Sequence, residues 1–446
     1  MSPGFGTLWK VLAAEGLRAV ADRTADRLAE ARRERSFSPA PPGWRPAVPV
    51  PVLRVTATPP APRLGGVQAQ LLARLSAEAR RGPVALLYPT ATCWRLEIEA
   101  AGERRSLEFL GSPPSPLALE DAELTAAVRS AAAAVGARAV HVEGLAGLPL
   151  LSLRRLRAPD LRLILSLHDF AAFCPRPHLL EHPFLRFCDY CGDLERCGRC
   201  LARSWPLDGS WQGERREIAA ALLAAADALV FPSEFLLRAY RDLFPGLAME
   251  KARIIAPAME KTALPSRRPG PLRHIALVGG VQAHKGALVF ADVVRLLAAS
   301  DLRWSAYGGG DAALVTLLRS LPGRPGVRVR GSYRGGALPR LLRRDGVDLA
   351  LLLSIVPESY SLALGECVQA GVPVLAFGLG ALGERVPRLG AGRLVPPERG
   401  AEGIADAIRA MLREGRAPEI PADAAAHIPG ADAAAAAHRD LYQALA

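Results

Sequence analysis

A chain of 446 residues and 47.4 kDa, half of it hydrophobic, is too long for one ordinary core and carries enough apolar material to fill two or three. Its net charge of +12 and pI near 9.8 suit an anionic partner, but the basic residues are spread as short pairs (Arg80-Arg81, Arg154-Arg155, Arg343-Arg344) with no aromatic-interleaved strip, which argues against nucleic acid. No run approaches the roughly 18 apolar residues of a membrane span, and the start lacks a secretory signal's apolar centre and cleavage site, so a cytoplasmic location is expected.

Residues 5–35 place Phe5, Leu8, Trp9, Leu12, Leu17, Val20 and Leu28 against Lys10, Arg18, Arg23, Arg27 and Arg32 at near-helical spacing. Such an amphipathic helix with a basic face either lies on the anionic inner face of a membrane or packs on its own domain, and the spacing leaves both open. The proline-rich SFSPAPPGWRPAVPVP, 36–51, cannot continue a helix and reads as a linker, closing a leading segment of 1–50. From 51 to 260 short β-rich runs (VLRVTA, VALLYPT, ARAVHVEG, LRLILSLHD, ALVFPS, ARIIAP) alternate with helical stretches, which predicts a parallel sheet covered by helices, with a cysteine-rich insertion at 174–200. A second linker, 261–273, leads into a new alternation over 274–420 (HIALVGG, LRWSAYGGG, GVRVRGSY, VDLALLLS, VPVLAFG), and the alanine-rich 421–446 predicts a closing helix. Two such α/β modules imply a cleft between them, with ligands beyond the carboxyl ends of strands.

Two stretches carry anion chemistry. In HIALVGGVQAHKGALVF, Gly279, Gly280 and Gly286 bracket a loop at a helix start where backbone amides can face an anion. Lys285 stands in that loop as one of only four lysines against 52 arginines, and a compact ammonium suits a diphosphate oxygen. An ordinary strand-to-helix turn with a solvated lysine is the competing reading. In VPESYSLALGECVQAGVPV, Pro357 stops a buried strand and a helix is expected to open at once. The amides of Ser359, Tyr360, Ser361 and Leu362 then lack intrahelical partners and form a phosphate site. Glu358 and Glu366 are separated by up to ~12 Å along such an axis, about the reach of a ribose-diphosphate-sugar; the competing reading is one capping and one solvated glutamate.

On these residues the chain resembles retaining glycosyltransferases of the family 4 type, which have the GT-B fold: α/β, two Rossmann-like domains facing across a cleft. In that family two glutamates with seven residues between them follow the last donor-binding strand, and a lysine in a KG turn binds the diphosphate; Glu358, Glu366 and Lys285 fall on those positions. The resemblance extends to GGVQAQLLARL (Gly65, Gly66), LHDF (His168), VFPSEF (Ser233), the AYGGG turn (Gly308) and GALGERV, and implies that His168 lies by the donor sugar and phosphate. Many relatives have an arginine where this chain has Gly280, and bulkier residues where it has Gly365.

The insertion contains Cys188-x2-Cys191 and Cys197-x2-Cys200, two pairs suited to a structural Zn(II) site, with Cys174 as a bystander or alternative ligand. Free core cysteines and a disulfide are the alternatives. A cysteine-bearing CPR insertion also resembles a subset of bacterial polysaccharide glycosyltransferases.

The resemblance therefore implies transfer of a hexose-type sugar from a UDP- or GDP-sugar to a glycan or lipid-linked acceptor, with retention and with no metal or other cofactor in the chemistry. Peripheral membrane association is carried only by the leading helix. A non-catalytic nucleotide-sugar-binding scaffold of the same fold is the rival. A dinucleotide-dependent oxidoreductase fails because LGGVQAQ does not match GxGxxG.

Overall fold

The computed structural model describes residues 31–60, 66–100, 102–265, 270–321 and 326–445. The expected leading helix falls outside them except for residues 31–35, which are helical, and Gly65 falls outside them too. The chain forms two compact units. One runs to Ala258 and is rejoined by the chain from Gly430 onward; the other is Met259–Pro429.

Among the described residues, the strands of the first unit are β1 (Ser38–Pro39), β2 (Val52–Val55), β3 (Val84–Pro89), β4 (Cys93–Ala100), β5 (Glu103–Leu110), β6 (Ala139–Val142), β7 (Arg162–Ser166), β8 (Leu180–Glu181), β9 (Arg186–Phe187), β10 (Ala228–Phe231) and β11 (Ala252–Ile254). All but the β8-β9 hairpin join one sheet in the order β1-β5-β4-β3-β2-β6-β7-β10-β11. Its parallel part, β3-β2-β6-β7-β10-β11, is mostly apolar and buried on both faces, with Arg54, His141 and Ser166 buried among the apolar residues and only the edge strand β11 largely exposed. β3, β4 and β5 form an antiparallel meander that the expected parallel pattern does not include. β5 alternates exposed and covered residues, as one-sided strands do.

The proline-rich 36–51 stretch is docked and does not hang free as a linker would. Ser38–Pro39 pairs with β5 at the edge of the sheet, where a proline costs no ladder bond, and Val50 N–H donates to Val135 O at 2.9 Å. Just before it, Arg33 forms an ion pair with the buried Glu97 of β4, so the described end of the leading segment is tied to its own unit.

In the second unit β12 (His274–Val278), β13 (Arg303–Tyr307), β14 (Arg328–Val329), β15 (Leu349–Leu352), β16 (Val374–Phe377) and β17 (Gly392–Val395) form an all-parallel sheet in the order β14-β13-β12-β15-β16-β17. Numbered within the unit this is 3-2-1-4-5-6, the doubly wound dinucleotide-fold order, whose direction of winding reverses between β12 and β15. Apolar clusters cover both faces, one around Ile275, Leu277, Phe290 and Leu351, the other around Ala276, Val278, Leu364 and Val368.

Candidate functional site

The loops after β12 and β15 meet at that reversal. After Val278 the chain turns through Gly279 and Gly280 at φ 113° and 106°, a region that glycine alone occupies freely. Both amides donate to the Tyr307 carbonyl at 3.3 Å, and Val281 N–H donates to Gly309 O at 3.1 Å, laying the turn onto the one that follows β13. A Cβ on Gly308 would stand 2.5 Å from Gly280 Cα. The arginine common at position 280 in the resembling family could not adopt this backbone, so Gly280 belongs to the way the two turns pack.

Gly286 opens the helix Ala287–Leu296 at φ 79°, pressed so close to β15 that a Cβ would lie 2.0 Å from Leu353 O. Ile355 N–H and Ser354 Oγ both bond the His284 carbonyl, at 3.0 and 3.1 Å, and fasten the two loops together. Lys285 stands between these anchors. Its Nζ lies 2.6 Å from Glu358 Oε1, with the lysine side chain 27% and the glutamate 14% exposed. Behind Glu358, Ala381 N–H donates to its carbonyl at 2.7 Å, which ties the β15 loop to the one that follows β16. The structure thus brings Lys285 and Glu358 into direct contact.

The helix expected to open at Ser359 begins at Leu362 and runs to Ala370. Ser361, its N-cap, sits at φ 66° and ψ 85°, and a left-handed residue there ends any helical run reaching back to Glu358. Ser359 and Tyr360 therefore belong to a loop, and the helix dipole starts with the amides of Leu362 and its successors. Arg385, buried in the helix Ala381–Arg388, holds this loop. Its guanidinium bonds the carbonyls of Tyr360 and Ser361, the latter at 2.9 Å, and lies 3.5 Å from the centre of the Tyr360 ring. No spacing in the sequence ties Arg385, within GALGERV, to Tyr360.

Glu366 lies in the second turn of the helix. Burial pushes its carboxyl up to about 7, opposed by a hydrogen bond from the Gly336 amide and aided by the nearby Glu260, and the half-buried Tyr333 is a further neighbour. Gly365 beside it is explained by Met259: a Cβ at 365 would stand 2.5 Å from the Met259 sulfur, so the methionine occupies the space a bulkier residue would need.

In the first unit His168 follows β7 and lines a pocket of about 370 Å³ with Arg74, Glu143, Ser166 and His438. Burial is the main force that lowers the His168 imidazole to about 4, and it is neutral at ordinary pH. Beneath it runs a buried polar chain that the sequence did not reveal. Arg74 pairs with Glu143, His141 Nε2 meets Ser166 Oγ at 2.8 Å, and His141 Nδ1 meets Tyr442 Oη at 2.8 Å. His141 and Ser166 sit on adjacent parallel strands, an alignment that appears only once the register is known. Gly66 begins the helix Gly66–Ala79 directly after the Gly65 position, and Ser233 caps the helix Glu234–Leu243 by accepting from Leu236 N–H at 3.1 Å.

The five cysteines of the insertion, Cys174, Cys188, Cys191, Cys197 and Cys200, line one pocket, all as free thiols. Among the described residues no group of three or more Cys, His, Asp or Glu side chains is already arranged to hold a metal ion. Nor is any helix among them long and apolar enough to cross a membrane.

Comparison with known proteins agrees with this architecture. Residues 273–414, which lie within the second unit, match the family of glycosyl transferases group 1. Sucrose-phosphate synthase of Thermosynechococcus elongatus superposes with a TM-score of 0.61 at 17% identity, over 89% of this chain and 99% of its own. HepE of Anabaena, solved with UDP and glucose, superposes at 0.59 with 14% identity over 88% and 99% of the two chains. A glycosyltransferase of Rickettsia africae gives 0.56 at 12% identity over 89% and 98%. The fold is therefore GT-B, with two Rossmann-like units. No protein of curated function matches the chain.

Proposed function

We propose that this protein is a glycosyltransferase that moves a sugar from a nucleoside-diphosphate donor to a glycan or lipid-linked acceptor, with retention at the anomeric carbon and without a catalytic metal. The observation that carries the reading is the Lys285–Glu358 pair at the point where the winding of a dinucleotide-type sheet reverses, beside a turn that leaves no room for a side chain at Gly308. The group 1 domain and the UDP and glucose reported with HepE support a nucleotide sugar as donor.

Each group then has a task. The acceptor hydroxyl replaces the diphosphate at the anomeric carbon, and negative charge grows on the departing diphosphate. Lys285 directs one of its three N–H donors at Glu358, which leaves two for phosphate oxygens. With the Leu362 helix start it neutralises the leaving group, the task a divalent ion would otherwise perform. Glu358 faces the donor sugar, and Glu366 accepts from the ribose hydroxyls. His168 belongs by resemblance to the sugar-phosphate end of the donor.

Donor turnover by the purified protein, screened over UDP- and GDP-sugars, tests the reading. Lys285→Ala should lower turnover on the order of 10²-fold with folding intact, and brief EDTA treatment should leave initial rates unchanged. Tight donor binding with no hydrolysis or transfer would favour the scaffold instead, and unchanged turnover in the alanine variant would remove Lys285 from the chemistry.

A further inference from the structure

We infer that the cysteine-rich insertion binds one zinc ion through Cys188, Cys191, Cys197 and Cys200, a site independent of the donor chemistry proposed above. Five thiols line a single pocket, whose wall also includes Leu179, Leu201 and Phe173, Glu181, and the Arg176, Arg196 and Arg216 side chains. Clustering alone does not distinguish a metal site from a sulfur-filled core. The N–H donors aimed at the sulfurs do.

Between Cys188 and Cys191 the backbone is unusual: Asp189 and Tyr190 have φ of 52° and 51°. Two successive non-glycine residues in the left-handed region make a strained turn between the two cysteines. Cys200 accepts from the His182 amide at 3.3 Å, and Arg216 Nη2 lies 3.5 Å from the Cys197 sulfur. A neutral thiol is a weak acceptor, whereas a thiolate, especially one bound to a cation, is stabilised by such donors. A core of inert thiols would gain little from them.

The chain geometry suits a tetrahedral ion. Cys197 and Cys200 are three apart on the helix Leu194–Leu201 and share one face. Cys188 and Cys191 flank the left-handed turn, and the Cys197 thiol already points to the Cys191 carbonyl at 3.6 Å. For the four sulfurs to converge on one ion, the Cys191 and Cys197 thiols must turn from the Asp193 and Cys191 carbonyls that they now face. Four thiolates match the soft-ligand preference of zinc and satisfy it with no open position, as in structural sites. Four protons leave as the ion binds. Cys174, whose sulfur receives the Arg176 amide, completes the wall and lies outside the ligand set.

The ion would stiffen the ground on which His168 stands. Arg216 bridges the carbonyls of Phe173 and Cys191 at 3.3 and 2.9 Å, and Gln212 bonds Phe173 O at 2.8 Å, so the loop that leaves β7 at His168 is fastened to the cysteine region.

Elemental analysis of the full chain, purified without chelator, should give about one zinc per chain, and cobalt substitution should give the intense visible spectrum of a tetrahedral thiolate complex. Cys188→Ser and Cys200→Ser should each lose the metal, while Cys174→Ser should keep it. Because a ligand variant could simply misfold, the wild-type protein is decisive: folded protein with far less than one zinc, iron in place of zinc, or an intact mass showing disulfides among these cysteines would overturn the assignment. Retention of full zinc by both serine variants would overturn it as well.

Discussion

Glu366 and Glu358 differ in what surrounds them, and the difference sets what each can do. Glu358 is met by an ammonium at 2.6 Å, whereas Glu366 sits against Tyr333 and Glu260 with a single amide for support. A carboxyl raised to about 7 means that the folded chain holds a proton the unfolded chain releases near 4.5. The stability this group confers is therefore fully present below about 4.5 and is lost as pH rises through about 7. A ribose hydroxyl that donates to Glu366 favours the ionised form, so nucleoside diphosphate affinity should climb between pH 6 and 8. The diphosphate's own titration is common to wild type and Glu366→Gln, and the extra slope should vanish in the variant. Calorimetry at three pH values reads it, and identical slopes would exclude Glu366 from the ribose. Glu358→Ala should bind the diphosphate at least as tightly, since Lys285 loses a competing carboxylate, while kcat falls.

At the scale of elements, the strand-loop-helix units that carry Lys285 and Glu358 were readable because buried β-rich runs, glycines and Pro357 punctuate the chain there. The later helix start was not. Nothing in ESYSLAL announces a left-handed serine, a conformation imposed by an arginine 24 positions further on. The β3-β4-β5 meander is hard to read from the sequence because β4 and β5 are mixed polar and apolar runs that follow the strongly apolar β3. Arg385→Leu should remove the partners of two loop carbonyls and the face against Tyr360, costing ~2–4 kcal/mol in urea unfolding. Ser361→Gly, by contrast, should be neutral or stabilising, because the position already has φ 66°. A clear loss of stability in the glycine variant would show that the serine side chain, not the turn, holds the loop.

At the scale of the whole molecule, the two-unit plan follows from the restart of alternation near 274, but the return of the chain does not. The closing helix Ala431–Leu445 belongs to the first unit, where Leu441 and Tyr442 cover an apolar face made by Val52, Ala139, Ile164 and Val230, one or more residues from each of four parallel strands. A low-complexity alanine run gives no sign of which sheet it covers; only the positions of Leu441, Tyr442 and His438 decide that, and they act together in space. Tyr442 also closes the polar chain through His141 to Ser166, and Arg80 reaches Asp432 at 2.7 Å. Ending the chain at Pro429 should therefore uncover one face of the first sheet and take the Tyr442 hydroxyl from the buried His141, leaving it only Ser166 as hydroxyl partner. Two large side chains withdrawn from burial represent about 3–6 kcal/mol, a large share of an ordinary domain's stability. Hydrogen exchange should rise across β2, β6, β7 and β10 in the truncated protein, while β12, β13, β15 and β16, which have their own apolar clusters, keep their protection. Equal loss of protection in both sheets, or none in the first, would contradict this division of the chain.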